Sequence, residues 1–181
     1  MKMVLTGALL LTLGLLANSS QAQDYTLGQF DEAVEALDVA EPSKRDPLQM
    51  SATLVPNHAA PGETVVAVVK IRLMPGWHFY HHVPATEPYI ETKWYLELGD
   101  GLMLVDDWSG PEPRPYETNA EMKIHKGSSQ PLVFFRELVV AEGANGEVDV
   151  DTGLRYQTCD PYICLPPKKK SMNLKLTVDK P

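Results

Sequence analysis

From Leu48 onward the chain alternates apolar and polar residues with a period of two. Leu48, Met50, Ala52 and Leu54 form one such run. Val65, Ala67, Val69, Ile71 and Leu73 form a second, with Lys70 and Arg72 opposite, and Ile90, Thr92, Trp94, Leu96 and Leu98 form a third. Successive side chains of a strand point to opposite faces, so each run reads as a half-buried strand. Further strands are predicted at 122–126, 132–140, 148–156 and 172–178. Asp100-Gly101 predicts a hairpin turn into a strand at 102–108. Many short strands, turns rich in Gly, Pro, Asn and Asp, and no strong helix predict an all-β fold, an immunoglobulin-like antiparallel β-sandwich. The Cys…Trp…Cys spacing of antibody domains is absent.

The pattern differs upstream. Lys2, an apolar stretch over 4–17 and the small-x-small Ser20-Gln21-Ala22 read as a cleavable secretory signal over 1–22. Residues 23–47 form an acidic leader and linker, in which Phe30, Val34 and Leu37 carry helical spacing over 31–40. Pro42 to Pro47 ends that helix. The domain proper is expected over 48–181. Nothing after residue 22 is long and apolar enough to span a bilayer. The expectation is therefore an exported protein with no direct membrane span, in a compartment where disulfides persist. A net charge of −8 argues against nucleic acid and anionic lipid as partners. The run Lys168-Lys169-Lys170 reads as a solvated strand entrance.

Only two cysteines occur, Cys159 and Cys164, within Tyr156-Gln157-Thr158-Cys159-Asp160-Pro161-Tyr162-Ile163-Cys164-Leu165-Pro166-Pro167. In an oxidising compartment they are expected to form a disulfide. So short a loop contributes only about 2 kcal/mol, which suits a switch better than a staple, although a structural disulfide stays open on spacing alone. Asp160 disfavours ionisation of Cys159 and Lys168 is expected nearer Cys164, making Cys164 the preferred attacking sulfur.

Met74-Pro75-Gly76-Trp77-His78-Phe79-Tyr80-His81-His82 invites a copper or zinc reading. In extended geometry His78 and His82 share a face while His81 points away, and only His58 and His125 remain elsewhere. No metal is therefore assigned, and the segment reads as an aromatic and imidazole rim. The alternate prolines of Pro111-Glu112-Pro113-Arg114-Pro115-Tyr116 predict a stiff loop presenting Tyr116 or Arg114. Hydrolase elbows, phosphate loops and zinc-protease helices are missing, and without Cys-x-x-Cys-His the chain carries no c-type haem. No cofactor is expected.

Tyr156-Gln157-x-Cys159-x4-Cys164-x-Pro166-Pro167, together with Pro75-Gly76-Trp77-His78-x-Tyr80 and Pro61-Gly62-Glu63, resembles the N-terminal domain family of thiol:disulfide interchange protein DsbD. The resemblance spans about residues 48–180. It implies an immunoglobulin-like fold and a redox-active pair at Cys159 and Cys164. His78 and Tyr80 fall on the family's aromatic pair beside the sulfurs. A shielding cap falls within 111–116; independently of the resemblance, Tyr116 or Tyr80 is expected to cover the sulfurs with an apolar ring. The implied donor is a thioredoxin-like domain or a membrane thiol transporter, and the implied acceptors are periplasmic disulfide proteins. The competing reading is a binding or assembly module with a merely structural disulfide.

Overall fold

The computed structural model describes residues 30–180. The expected signal at 1–22 and the first part of the leader lie outside the described residues. Twelve strands are found among them. The first six are β1 (Leu48–Val55), β2 (His58–Ala59), β3 (Thr64–Leu73), β4 (His78–His82), β5 (Lys93–Leu98) and β6 (Leu102–Leu104). They are followed by β7 (Arg114–Pro115), β8 (Lys123–Lys126), β9 (Leu132–Val140), β10 (Gly146–Tyr156), β11 (Thr158–Cys159) and β12 (Lys168–Val178).

Two four-stranded sheets, ordered β1-β3-β9-β6 and β2-β12-β10-β5, make an immunoglobulin-like sandwich. A third sheet runs β11-β4-β8-β7. All ladders are antiparallel except the short β2–β12 pair. The core follows from the alternation. Val65, Ala67, Val69 and Ile71 are wholly buried on one face of β3 and share two apolar clusters with Val148, Val150, Leu154 and Leu176 of the other sheet. Each such aliphatic side chain larger than alanine contributes about 1.5–3 kcal/mol by leaving water. Trp77 and Phe79 join the same core, anchoring the third sheet to the sandwich.

Two expectations need correction. Asp100-Gly101 is a turn, but not of a hairpin: β5 pairs with β10 while β6 pairs with β9. Gly101 has φ +93°, and a Cβ there would sit 2.6 Å from that of Ala144. The turn carries the chain from one sheet to the other, tightly against the 141–145 loop. The strand expected over 102–108 stops at Leu104, and Met103, Leu104 and Val105 are exposed. Beyond it, Asp106 occupies β9 by bonding rather than pairing, its backbone carbonyl accepting from Arg136 and its carboxylate from the Glu137 N–H.

The leader folds against the sandwich. Its helix covers 30–36, shorter than the spacing predicted. Strand parity turns Val68 outward, yet it is wholly buried, which places cover over that face. Phe30 meets Phe135 edge-on at 5.7 Å, and Val39 is buried. The Lys70 ammonium donates to the carbonyls of Val34 and Leu37 at 2.6 and 2.9 Å, closing the helix C-terminus where unpaired carbonyls favour a cation. Asp46 binds Lys168 at 3.0 Å and Lys170 at 2.8 Å, tying the end of the leader to β12.

Candidate functional site

The site begins at a tight turn. In Met74-Pro75-Gly76-Trp77 the Trp77 N–H donates to the Met74 carbonyl at 3.0 Å, and Gly76 has φ +86°. Proline at the second position and a positive-φ glycine at the third are what a type II turn requires. The turn takes the chain out of β3 and starts β4, whose first three residues, His78, Phe79 and Tyr80, are buried.

β11 lies beside β4, so that Cys159 is directly opposite His78. Cys159 and Cys164 are disulfide-bonded, their Cα atoms 4.0 Å apart. The loop between them is held by its own backbone: Asp160 N–H donates to the Ile163 carbonyl and Leu165 N–H to that of Thr158, both at 2.9 Å. The Asp160 carboxylate accepts the N–H groups of Tyr162 and Ile163, each at 2.8 Å. The carboxylate that neighbours Cys159 in sequence thus also builds the turn. Tyr162 is 90% exposed and Ile163 54%, so the loop presents its apolar side chains outward.

The two sulfurs have unlike surroundings. Cys159 is 1% exposed and packs with Tyr80, Met122 and Ile124, with Val83, Tyr89 and Tyr116 around them. Cys164 is exposed. The Tyr80 hydroxyl donates to Cys159 Sγ at 3.5 Å, and His78 Nε2 lies 3.2 Å from the same hydroxyl. Burial, reinforced by the Lys126 ammonium, lowers the His78 pKa to about 4, so its imidazole is neutral at ordinary pH. Burial, with Tyr116 and Tyr89 nearby, raises the Tyr80 phenol well above its usual value and keeps it a donor. Tyr89 stacks on Tyr80 at 4.9 Å, and Tyr116 lies 5.1 Å from the His78 ring. A cleft of about 350 Å³ opens beside this group, lined by Trp77, His78, Tyr116, Glu117, Lys126 and Pro161 among others. The arrangement offers one water-facing sulfur and one dry sulfur served by a hydroxyl.

Of the residues singled out in the sequence, Cys159, Cys164, His78, Tyr80 and Tyr116 come together. The proline loop divides. Tyr116 reaches the sulfur side, Arg114 and Pro115 form the edge strand β7, and Pro111, Glu112 and Pro113 line a separate cleft. The Lys168 ammonium is held by Asp46 and the Arg45 carbonyl. A bulge between Tyr80 and His82 breaks the strict alternation assumed for the histidines. His82 meets Glu91, and His81 meets His125. Among the described residues no three His, Cys, Asp or Glu converge as a metal site.

Tyr89 and Met122 were not legible as site residues. Tyr89 lies in an aperiodic Pro-flanked stretch, and only long-range contacts bring it in. Gln157 binds that stretch to the cysteine loop, accepting from Ile90 N–H at 3.1 Å and donating to the Leu165 carbonyl at 3.3 Å.

A family model described as thiol:disulfide interchange protein DsbD, N-terminal, matches residues 45–176. Among solved structures the chain is similar to the GAE domain of yeast GGA1, at 12% identity and a TM-score of 0.42, covering 77% of this chain and 96% of that one. AggA, the major subunit of type I aggregative adherence fimbriae of Escherichia coli, is similar at 13% identity and a TM-score of 0.39, covering 77% and 99%. The reduced DsbD N-terminal domain of Neisseria meningitidis is similar at 14% identity and a TM-score of 0.34, covering 61% and 77%. No curated protein matches the sequence.

Proposed function

The chain belongs to the DsbD N-terminal domain family, and from that premise we propose that it is a periplasmic thiol–disulfide relay. Reducing equivalents pass from a thioredoxin-like domain or membrane thiol transporter to periplasmic disulfide proteins. One observation carries the division of labour: within a single disulfide, Cys159 is buried and Cys164 is open to solvent. Exchange rates depend on which sulfur can be reached.

In the reduced protein the Cys164 thiolate attacks a partner disulfide. A mixed S–S bond forms, and the partner's leaving sulfur takes up a proton. Cys159, having lost its proton, then attacks Cys164 Sγ and expels the partner's second thiol. Two electrons and two protons have passed to the partner, and the Cys159–Cys164 bond is restored. Recharging reverses the order, with a donor thiolate attacking Cys164. Tyr80 supplies the hydrogen bond that a charged Cys159 sulfur needs in an apolar pocket, while Tyr116 shields it. On this reading residues 1–22 are removed as an export signal, 23–47 lead into the domain, and 48–181 carry the exchange chemistry.

The reduction potential tests the reading. A relay equilibrates with thioredoxin-range couples at about −180 to −270 mV, whereas a structural staple lies below about −300 mV. A value in the lower range assigns the disulfide to stability and the domain to binding or assembly.

A further inference from the structure

Lys93, Arg155 and Lys169 stand in one row across β5, β10 and β12, on the outward face of that sheet and at the end from which the cysteine loop springs. We propose that this row is a docking surface for an acidic protein partner. Resting on the relay reading, it assigns a charge to the surface that the exchange partner brings to the disulfide.

The row follows from register. Arg155 lies directly opposite Lys93 on one side and Lys169 on the other, and all three are exposed. Like charges directly opposite on neighbouring strands destabilise a sheet. Here two such oppositions meet at one arginine, in a chain whose net charge is −8. Glu91 binds Lys93 at 2.5 Å and is shared with His82. Arg155 and Lys169 have no carboxylate partner among the described residues. Elsewhere on the same strands the charges are matched. Lys168 and Lys170, of opposite parity to Lys169, both bind Asp46, and Lys175 meets Glu147 and Asp149. The mismatch is confined to the cysteine end.

The row is also supported from beneath. The next row on the same face is Tyr95, Gly153 and Ser171. A Cβ on Gly153 would sit 2.2 Å from the Lys170 carbonyl oxygen and 3.0 Å from the Tyr95 ring, so only glycine leaves that ring its place. The Lys169 ammonium lies 4.4 Å from the ring centroid. A cation on an aromatic face is held without being neutralised.

Position gives the row its use. Arg155 precedes Cys159 by four residues, and Lys169 follows Cys164 by five. At about 3.3 Å per residue, Arg155 is within about 13 Å of Cys159. One partner face of ordinary size, about 800 Å², covers both. The charge of the chain as a whole repels an acidic partner, so attraction must come from a local patch. Three cations are fewer than the roughly four to eight that read an anionic bilayer, which favours a protein partner.

The test uses the reduced protein and three synthetic peptides, each with one internal disulfide flanked by glutamates, lysines or serines. Oxidation is followed by alkylating the remaining thiols, with each rate normalised to the same peptide's reaction with dithiothreitol. At low salt the glutamate peptide should react about 3-fold faster or more than the serine peptide, and about 0.5 M salt should erase the difference. Lys93→Gln/Arg155→Gln/Lys169→Gln should lose the preference and keep the serine-peptide rate. Arg155→Glu, which turns both like-charge oppositions into attractive ones, should keep the fold and shift the preference to the lysine peptide. Equal rates for the three peptides, or a preference that survives the triple change, overturn the docking surface and leave the relay standing. Exchange with none of the peptides overturns the relay reading and the docking surface with it. Binding to phosphatidylglycerol vesicles that the triple variant lacks, without any charge preference in exchange, assigns the row to a membrane and overturns the proposal.

Discussion

The Tyr80 hydroxyl points at Cys159 Sγ from 3.5 Å, the one side-chain hydrogen bond that the buried sulfur receives among the described residues. Removing it while keeping the ring isolates its contribution. Hydrogen bonds to charged groups contribute about 1.5–3 kcal/mol, so Tyr80→Phe should slow Cys159 attack on a mixed disulfide about tenfold or more. Stopped-flow resolution of a preformed mixed disulfide measures this. An unchanged rate removes Tyr80 from the chemistry and leaves it as packing.

Exposure assigns the exchanging sulfur. Cys159→Ser should trap a mixed disulfide through Cys164 with a thioredoxin-like partner, and Cys164→Ser should trap little or none. Non-reducing gels of the two variants decide it. The inverse pattern would exchange the roles and keep the relay.

Tyr116 packs against the His78–Tyr80 pair at the mouth of the sulfur pocket. Tyr116→Ala should speed oxidation of the reduced protein by oxidised glutathione several-fold, on the order of 3- to 10-fold, since exchange depends on access. Unfolding free energy should fall by only about 1 kcal/mol for this half-buried ring. A rate that does not move sinks the shielding role.

The disulfide closes a short loop, so the Cys159→Ser/Cys164→Ser variant should lose about 2 kcal/mol in urea unfolding and still unfold cooperatively. A collapse of the cooperative transition would instead make the bridge a staple.

His78 and His125 are both held neutral by burial, each with a pKa lowered to about 4. Their unfolded values lie near 6.5, so below that pH the unfolded chain binds protons that the folded one refuses. The stabilisation is complete above about pH 6.5 and drains away as the pH falls toward 4. His125→Phe should flatten the slope of stability against pH in that window, measured by denaturant melts. A slope identical to the parent's shows that other groups control acid unfolding.

The sandwich was legible because its signal is local: alternation at Val65–Ile71 and 148–156 needs no knowledge of partners. The motif at 156–167 with 75–80 likewise located the sulfurs and two of their neighbours. What escaped depends on pairing. Asp100-Gly101 has the composition of a hairpin, and nothing local says that its flanking strands bond to different sheets. The bulge at His81 is a register event between β4 and β8, invisible in either strand alone. Lys70 reads as an exposed charge opposite a core face, yet it closes the helix of a leader more than thirty residues upstream.

The Asp160 carboxylate fixes the cysteine loop through the backbone N–H groups of Tyr162 and Ile163. Backbone bonds are indifferent to which side chains those two positions carry. The loop can therefore drift in sequence at its two outermost residues without moving either sulfur. What the loop tip displays to solvent and where the sulfurs sit are thus set by different groups of atoms, side chains at 162 and 163 for the first and the Asp160 carboxylate for the second.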